Sequence, residues 1–320
     1  MTYLLLILGF ALLIKGADFF VEGASKIAQA LHVSPLLIGL TIVAFGTSSP
    51  EATVSIVAAL EESAGVAIGN VVGSNIFNIT LVVGITAILN PLTVEDETIR
   101  KEIPFTLLAS TAFLVLISDV QFQGASDNLI TRGDGFIFLL FFAIFLYYIF
   151  EVARHSREKG KTEGTLHTQE KISWSKNILF TIGGLAAIIF GGELVVSNAT
   201  TIALSFGMSE TLVGLTIVAV GTSLPELITS VTAALKKQSQ IALGNIVGSN
   251  IFNILFVLGS ASVISPLAVD SQIFVDVVLM IILTGVLLIF SRTHFKVGKF
   301  EGMVLALAYI LYMVYIILRN

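Results

Sequence analysis

Long apolar stretches alternate with short polar segments along almost the whole chain. Ten such stretches can be marked, at residues 3–23, 33–60, 66–91, 103–118, 134–153, 177–197, 208–235, 240–267, 272–290 and 300–318. A helix of about 20 apolar residues crosses the hydrocarbon core of a bilayer, and a shorter one does so where the bilayer thins, so each stretch can span a membrane. The stretches lack the alternation of polar and apolar positions that membrane β-strands show. The pattern predicts an all-α integral membrane protein with ten transmembrane helices.

The chain contains an internal repeat. When the sequence is shifted by 175 residues, the segment 34–84 falls on 209–259 without a gap, and 30 of the 51 positions are identical. TIVAFGTSSPE aligns with TIVAVGTSLPE, and GNVVGSNIFNI aligns with GNIVGSNIFNI. The one sizeable hydrophilic interruption separates two sets of five stretches. We therefore predict a first five-helix repeat at 1–153, a cytoplasmic linker at 154–176 and a second five-helix repeat at 177–320.

The two repeats are expected to have opposite orientations in the membrane. Five helices is an odd number, so the second copy must enter the membrane from the other side. Lys and Arg accumulate on the cytoplasmic side of membrane proteins, and 14 of the 17 basic residues lie on cytoplasmic segments if the linker is cytoplasmic. Glu61 and Glu62 of the first copy align with Lys236 and Lys237 of the second. We predict inverted repeats with both termini outside, and the compact loops favour a prokaryotic inner membrane.

Composition excludes several other classes of protein. Hydrophobic residues make up 55% of the chain and charged residues 12%, which is about half the charged share of a soluble domain. The net charge of -5, without a dense basic patch, argues against a nucleic-acid partner. The chain has no Cys and only 4 scattered His, so it offers neither a disulfide framework nor a Cys or His metal site. We expect no cofactor, the lipid bilayer as surroundings, and a chain that is compatible with a monomer.

Two buried carboxylates are the strongest indication of function. Glu51 and Glu226 lie midway along apolar stretches, at equivalent positions of the repeat. A carboxylate near the bilayer centre costs about 2.5–3.5 kcal/mol on insertion scales. Lys and Arg are missing at matching depth from these and the following stretches, so a metal cation is the expected partner. Pro50 and Pro225 remove an N–H and open the helices immediately before these glutamates.

The neighbouring residues complete a set of oxygen ligands around the predicted helix breaks. Opened turns free backbone carbonyls, and hydroxyl and amide side chains follow in both copies. Such ligands suit hard cations, Ca²⁺ and Na⁺ especially, and do not suit soft metals. The candidate metal ligands are Ala44, Thr47, Ser48, Glu51, Ser74 and Asn78 in the first copy, and Ala219, Thr222, Ser223, Glu226, Ser249 and Asn253 in the second. Helix packing is the expected role of the glycines of the second element, Gly69, Gly73, Gly244 and Gly248.

The duplicated GTSxPE and GSNxxN elements resemble the alpha repeats of the cation/calcium exchanger superfamily, closest to its sodium/calcium exchanger branch. The resemblance implies exchange of Na⁺ for Ca²⁺ by alternating access, with the twelve residues above as cation ligands. It also implies that the first and sixth helices slide across the core; their aligned acids, Asp18 and Glu193, are expected to be interface residues. Asn253 stands where some members carry Asp, which argues against potassium dependence. Ser49 replaces the apolar residue that is commoner at its position.

The charge count supports an exchange mechanism without the resemblance. Two ionised glutamates balance one divalent or two monovalent cations, so Ca²⁺ and Na⁺ should compete for one cluster, because binding both would leave excess positive charge in a low dielectric. The chain is therefore predicted to be a secondary antiporter for Na⁺ and Ca²⁺. A proton-coupled or other-cation antiporter is the main alternative, and a passive cation channel is a further one. An enzyme is disfavoured because Ser48 and Ser223 have no nearby His or Lys in sequence to activate them.

Overall fold

Helices form nearly all of the structure, a computed structural model that describes residues 1–162, 173–207, 219–293 and 295–319. In chain order they are α1 (Thr2–Leu31), α2 (Pro35–Thr47), α3 (Ser49–Leu60), α4 (Ala64–Leu89), α5 (98–116), α6 (Asp119–Gln123), α7 (Arg132–Thr162), α8 (Trp174–Ser205), α9 (Ala219–Thr222), α10 (Leu224–Leu235), α11 (Ser239–Ile264), α12 (Ser271–Arg292) and α13 (Lys299–Arg319). Seven of the helices in these ranges are long and apolar enough to cross a membrane: α1, α4, α7, α8, α11, α12 and α13. Together, α2 and α3 meet the same criterion as one span bent by 48°. The prediction of an all-helical membrane protein is confirmed.

Two of the ten predicted spans are not among these helices. The first five residues of α5 include Arg100, Lys101 and Glu102, so its apolar part is short. α9 and α10 follow the stretch 208–218, which lies outside the described residues. The number of ten spans therefore stays a prediction at the level of the fold.

The predicted linker at 154–176 begins later in the structure. α7 continues to Thr162 and α8 begins at Trp174, while residues 163–172 lie outside the described residues. Arg, Glu and Lys are good helix formers, and Glu151 and Arg154 form an ion pair at 3.8 Å, three residues apart on α7. The polar sequence after residue 153 therefore extends the helix. The loss of hydrophobicity marks where the apolar part of α7 ends, and the helix itself ends later.

Short β-ladders join loops from the two halves of the chain. β1 (Leu92–Thr93) pairs antiparallel with β4 (Lys296–Val297), and β2 (Leu129–Ile130) pairs antiparallel with β3 (Leu267–Ala268). Each ladder connects a loop of the first half to a loop of the second. These four two-residue strands fix the helix ends to one another without forming a sheet of their own.

α1 and α8 cross in close contact through glycines. A Cβ atom on Gly9 would lie 3.0 Å from the carbonyl oxygen of Gly191, and one on Gly16 would lie 2.8 Å from the carbonyl oxygen of Gly184. The contacts run in opposite directions along the two helices, so α1 and α8 are antiparallel. In the repeat, Gly184 is equivalent to Gly9 and Gly191 to Gly16, so each contact is the counterpart of the other. Small residues allow such close approach in lipid, where no hydrophobic effect draws helices together.

α4 and α11 are the most buried of the apolar helices and form the centre of the molecule. α11 packs on α2 through Gly244 and Gly248, where an added Cβ atom would lie 2.7 Å from a backbone carbonyl oxygen of α2 in both cases. The packing role predicted for these two glycines is confirmed. The packing role predicted for Gly69 and Gly73 stays a prediction, because the described residues place no atom within 4 Å of an added Cβ there.

Substitution of Gly184 should separate α1 from α8. A side chain at this position would meet the backbone nitrogen of Phe20 at 2.6 Å, and overpacking of this kind costs about 1–3 kcal/mol. We expect Gly184→Val to lower the midpoint of thermal unfolding in detergent by several degrees. The neighbouring Gly183 has no atom within 4 Å of its added Cβ, so Gly183→Val is the matched control and should leave the midpoint unchanged. Equal midpoints for the two variants would contradict the close crossing.

Candidate metal-ion site

Each repeat places a broken helix immediately before its buried glutamate. α2 ends at Thr47 and α3 begins at Ser49, with Ser48 between them at φ -83° and ψ 8°. In the second copy the junction residue Ser223, between α9 and α10, has φ -93° and ψ 8°. Proline is the second residue of both following helices, where its missing N–H interrupts the hydrogen bonding of the preceding turn. The helix breaks predicted from the sequence are present in both copies.

The hydroxyl of Ser49 replaces a backbone hydrogen bond that is lost at the first of these helix breaks. Pro50 has no N–H to donate to the carbonyl of Gly46, four residues earlier. The hydroxyl of Ser49 donates to that carbonyl oxygen at 2.7 Å instead. The equivalent residue of the second copy is Leu224, which has no hydroxyl. The structure thus accounts for the one departure from the repeat pattern within the motif.

Some of the predicted ligands lie in or next to π-helical segments, whose turns are wider than those of an α-helix. π-helical segments occur at Gly39–Val43 in α2, at Asn78–Val82 in α4 and at Phe252–Val257 in α11. Asn78 begins the second of these, and Asn253 lies in the third. Such segments are rare and are frequent at functional sites. The sequence pattern gave no sign of them, because one extra residue in a buried turn does not change the apolar character of the helix.

The two glutamates come together through reciprocal hydrogen bonds. Glu51 lies in the first turn of α3 and Glu226 in the first turn of α10, and neither has any exposed surface. The hydroxyl of Ser223 donates to Glu51 Oε1 at 2.9 Å, and the hydroxyl of Ser48 donates to Glu226 Oε1 at 2.8 Å. Each serine thus bonds the glutamate of the other copy. The N-terminal position on a helix also favours a negative charge, because the helix dipole is positive there.

Four side-chain oxygens of the predicted ligands lack a hydrogen-bond donor. They are Glu51 Oε2, Glu226 Oε2, Asn78 Oδ1 and Asn253 Oδ1, all of them buried and unbonded within the described ranges. The ion pairs formed by the described residues involve neither glutamate. Leaving a buried acceptor unsatisfied costs about 1–3 kcal/mol, and more for a charged group. A cation that binds all four oxygens would remove these costs, so the donor set fits a hard metal ion.

The asparagine side chains leave their oxygens available because their amide groups are already bound. Asn78 Nδ2 donates to Asn250 Oδ1 at 3.2 Å, and Asn253 Nδ2 donates to the Ser74 hydroxyl at 3.1 Å and to Asn75 Oδ1 at 3.5 Å. Asn75 and Asn250, which are equivalent in the repeat, thus orient the predicted ligands from the opposite copy. This bonding fixes the direction of each Oδ1 atom.

The other predicted ligands are brought together to different degrees. Ser249 Oγ lies 3.5 Å from the carbonyl oxygen of Ala44, and Thr47 lies on the same turn. The carbonyl oxygen of Ala44 still accepts the N–H of Ser48 at 3.0 Å, so the carbonyl that Pro50 deprives of its helical donor is that of Gly46. The role of Ala44 as a ligand stays a prediction. Ala219 and Thr222 form α9, directly after the stretch outside the described residues, so their roles stay predictions.

Two asparagines of the site were missed by the sequence reasoning. Asn70 Nδ2 donates to the carbonyl oxygen of Glu51 at 3.2 Å and to the Ser55 hydroxyl at 2.9 Å. Asn245 does the same for Glu226 and Ser230, at 3.4 Å and 2.9 Å. Both residues stand in the aligned GN pair of the second element, which was the available signal. The site therefore includes residues that hold the first turn of each glutamate-bearing helix.

Asn245 has an additional role, because it connects the two copies. Its Oδ1 accepts the hydroxyl of Thr47 at 3.0 Å. Thr47, Asn245 and Glu226 all have no exposed surface. One side chain therefore positions a carboxylate of the second copy and a hydroxyl of the first.

The comparisons with known proteins agree with this geometry. A family profile described as "Sodium/calcium exchanger protein" matches residues 1–151 and 176–318, which include both broken helices and both glutamates. The chain belongs to the sodium/calcium exchanger family. Membership identifies it as a multi-pass integral membrane protein of a transporter family and confirms the resemblance found in the repeated motifs.

Members of this family match the chain over nearly its whole length. A "Putative antiporter CaxA" from Alkalimonas amylolytica is 41% identical over 312 residues, covering 96% of this chain and 95% of that protein. A "Sodium/calcium exchanger MaX1" from Methanosarcina acetivorans is 34% identical over 341 residues, covering 98% and 97%. Among solved structures, the sodium-calcium exchanger NCX_Mj, soaked with Na⁺ and Ca²⁺, superposes with a TM-score of 0.82 at 32% identity, covering 98% of this chain and 97% of that one.

Replacing Asn245 by alanine should weaken cation binding in this family member. The change removes the bonds to Thr47, to Ser230 and to the Glu226 backbone, and buried hydrogen bonds of this kind are worth about 1–3 kcal/mol when a partner is left unsatisfied. We expect Asn245→Ala to lower the affinity for Ca²⁺ about tenfold, measured by titration calorimetry in detergent. Asn90 also donates from its side chain to a backbone carbonyl, that of Ala234, but outside the site. Asn90→Ala is the control and should keep the native affinity.

Proposed function

We propose that this chain is a secondary antiporter that exchanges Na⁺ for Ca²⁺ by alternating access. The observation that carries the proposal is the pair of buried glutamates, one from each copy, whose Oε2 atoms face no donor in the described part of the chain. Family membership supports Na⁺ and Ca²⁺ as the ions. The proposed ligands are Ala44, Thr47, Ser48, Glu51, Ser74 and Asn78, with Ala219, Thr222, Ser223, Glu226, Ser249 and Asn253.

Coupling follows from the charge of the site. One Ca²⁺ or two Na⁺ neutralise the two carboxylates, and loading both kinds of ion would place excess positive charge in a low-dielectric interior. The ions therefore exclude each other, and only a fully loaded site is neutral enough to pass between the two states. The chain needs no resident cofactor, because the chemistry is ligand exchange at oxygen atoms.

The proposed architecture is ten transmembrane helices in two inverted five-helix repeats, a frequent plan of secondary transporters. The antiparallel contact of α1 with α8 supports it, as do the exchanged contacts of Ser48 with Glu226 and of Ser223 with Glu51. We assign the two remaining spans to α5 and to 208–235. The linker is placed in the cytoplasm, both termini are placed outside, and the membrane is a prokaryotic inner membrane.

A proton-coupled or other-cation antiporter is the second candidate. It is favoured by the same two carboxylates, which also bind protons. A passive channel would conduct without a counter-ion on the other side. Neither candidate explains four unsatisfied oxygens as directly as binding of a dehydrated hard cation does, and the transporter family argues against an enzyme.

Exchange should depend on both glutamates. In vesicles loaded with Na⁺ and diluted into sodium-free buffer, the native protein is expected to take up radioactive Ca²⁺, and equal proton or potassium gradients should not replace Na⁺. Glu51→Gln and Glu226→Gln should each reduce uptake about 100-fold or more, because one buried charge of the cluster is lost. Glu62→Gln, at an exposed position, is the charge-matched control. Uptake that survives either core substitution would refute the site.

The opposite orientation of the two repeats in the membrane can be tested at one pair of equivalent positions. Glu62 and Lys237 are exposed and share a left-handed backbone conformation, with φ of 58° and 61°. The chain has no Cys, so single substitutions can be labelled without background. We expect Glu62→Cys to react with a membrane-impermeant thiol reagent from outside, and Lys237→Cys only from the cytoplasmic side. Labelling of both from the same side would exclude the inverted arrangement.

A further inference from the structure

An ion pair ties α1 to the end of α10. Lys236 Nζ lies 2.6 Å from Asp18 Oδ1 and donates a hydrogen bond to the Asp18 backbone oxygen at 2.7 Å. Asp18 belongs to α1, and Lys236 directly follows α10, whose first turn carries Glu226. The pair therefore connects a long glycine-packed helix to one of the two helices that bear the ligands of the site.

The equivalent positions in the repeat carry charges that repel. Glu193 on α8 is equivalent to Asp18, and Glu61, directly after α3, is equivalent to Lys236. Both glutamates are exposed. Where one face of the molecule has a cation beside an anion, the other has two anions, which cannot form the same link.

The basic side chains that could neutralise these acids are bound elsewhere. In the proposed topology Arg132 and Arg319 are the two basic loop residues on that face. Arg132 donates to the backbone oxygen of Ile264 at 3.3 Å, and Arg319 makes two hydrogen bonds of 3.0 Å to the carboxylate of Asp276. The face with Glu61 and Glu193 thus has no basic side chain positioned to replace Lys236 among the described residues.

Helix packing follows the same asymmetry. α1 packs along α10, whereas the equivalent pairing, α8 with α3, is at most marginal within the described ranges. Within the described residues, the face with the ion pair thus has a close helix contact that the face with the two acids lacks. Both halves share a fold and a motif, so the difference in sequence at these four positions matches the difference in packing.

We propose that Asp18 and Lys236 form an ionic latch that closes the cytoplasmic face of the exchanger, and that Glu61 and Glu193 leave the outer face unlatched. The inference rests on the proposed function, which supplies the two alternating states. A contact that exists in only one state stabilises that state. The charges therefore bias the resting protein toward the outward-open conformation.

The ion pair of Asp18 with Lys236 is partly exposed to solvent, as expected of a contact that breaks in every transport cycle. The side chains of Lys236 and Asp18 are 31% and 41% exposed, and ion pairs this accessible to solvent contribute modestly to stability. A link of that strength shifts the balance between two states and still breaks in every cycle. Glu22, one turn further along α1, is already paired with Lys26, so Asp18 is the partner of Lys236 on this helix.

Loss of the latch should change the apparent ion affinity differently on the two faces. An apparent dissociation constant equals the intrinsic constant divided by the fraction of molecules in the binding-competent state. Without the latch more molecules open to the cytoplasm. The KM for Ca²⁺ should therefore fall on the cytoplasmic face and rise on the outer face.

The test compares sealed everted vesicles with right-side-out vesicles. We expect Lys236→Met to lower the cytoplasmic KM for Ca²⁺ about threefold to fivefold, the effect of a modest ion pair, and to raise the outer KM. Glu61→Lys, which places a cation opposite Glu193, should shift the same equilibrium and likewise raise the outer KM. The exchanged variant Asp18→Lys with Lys236→Asp should restore native values on both faces. Lys237→Met is the matched control, because Lys237 is exposed and forms no ion pair within the described ranges.

Cysteine cross-linking tests the latch without transport. In this cysteine-free chain, the pair Asp18→Cys and Lys236→Cys should be linked readily by a bifunctional thiol reagent as long as a Lys–Asp pair, because a direct disulfide needs closer Cα atoms. The pair Glu61→Cys and Glu193→Cys should be linked much more slowly by the same reagent. Equal cross-linking of the two pairs, or a KM change in Lys236→Met that is the same on both faces, would overturn the latch. Absence of sodium-dependent flux in the native protein would refute the proposed function while leaving the cross-linking result to decide the latch.

Discussion

The structure depends on two carboxylates that lie in an apolar interior without a basic partner. Glu51 and Glu226 have no exposed surface, and each receives one hydroxyl at Oε1 and nothing at Oε2 from the described residues. Burial of this kind is unfavourable unless a cation compensates it. The helix breaks, the wide turns and the asparagine amides all serve to gather oxygen atoms around this pair. The two glutamates are therefore the groups of the folded core whose burial a bound cation would compensate.

Gene duplication supplied the second half of this arrangement. Ser48 bonds Glu226 while Ser223 bonds Glu51, and Asn70 and Asn245 support the two carboxylate-bearing turns in the same manner. Because each copy completes the site of the other, neither copy forms the site alone. The copies are nevertheless unequal where the surroundings differ. Ser49 has a hydroxyl that Leu224 lacks.

Much of this could be predicted from the sequence, because membrane helices are defined by composition. Apolar stretches of about 20 residues, two motifs that occur in both halves, and two glutamates that are unfavourable in a bilayer were sufficient to predict the helical fold and the carboxylate pair. The bonding of Ala44, the π-helical segments and the roles of Asn70 and Asn245 were not predictable. These depend on which neighbouring helix a polar group faces, and a one-dimensional pattern does not contain that information. The continuation of α7 past residue 153 was not predictable either, since helices continue into water when their residues favour them.

The length of α1 and α8 has a consequence for the membrane around them. They contain 30 and 32 residues, which at 1.5 Å per residue corresponds to about 45 Å or more, well beyond a hydrocarbon core of about 30 Å. Their apolar stretches, 3–23 and 177–197, have about the length of that core. The remaining turns reach into the interface, and tilt takes up a mismatch with a thinner or thicker bilayer. If the pair moves as one unit, held by its interlocking glycines, every cycle changes the hydrophobic length that it presents to the acyl chains. Such movement would link turnover to bilayer thickness, so that lipids with longer or shorter tails would act on the conformational equilibrium from outside the ion pathway.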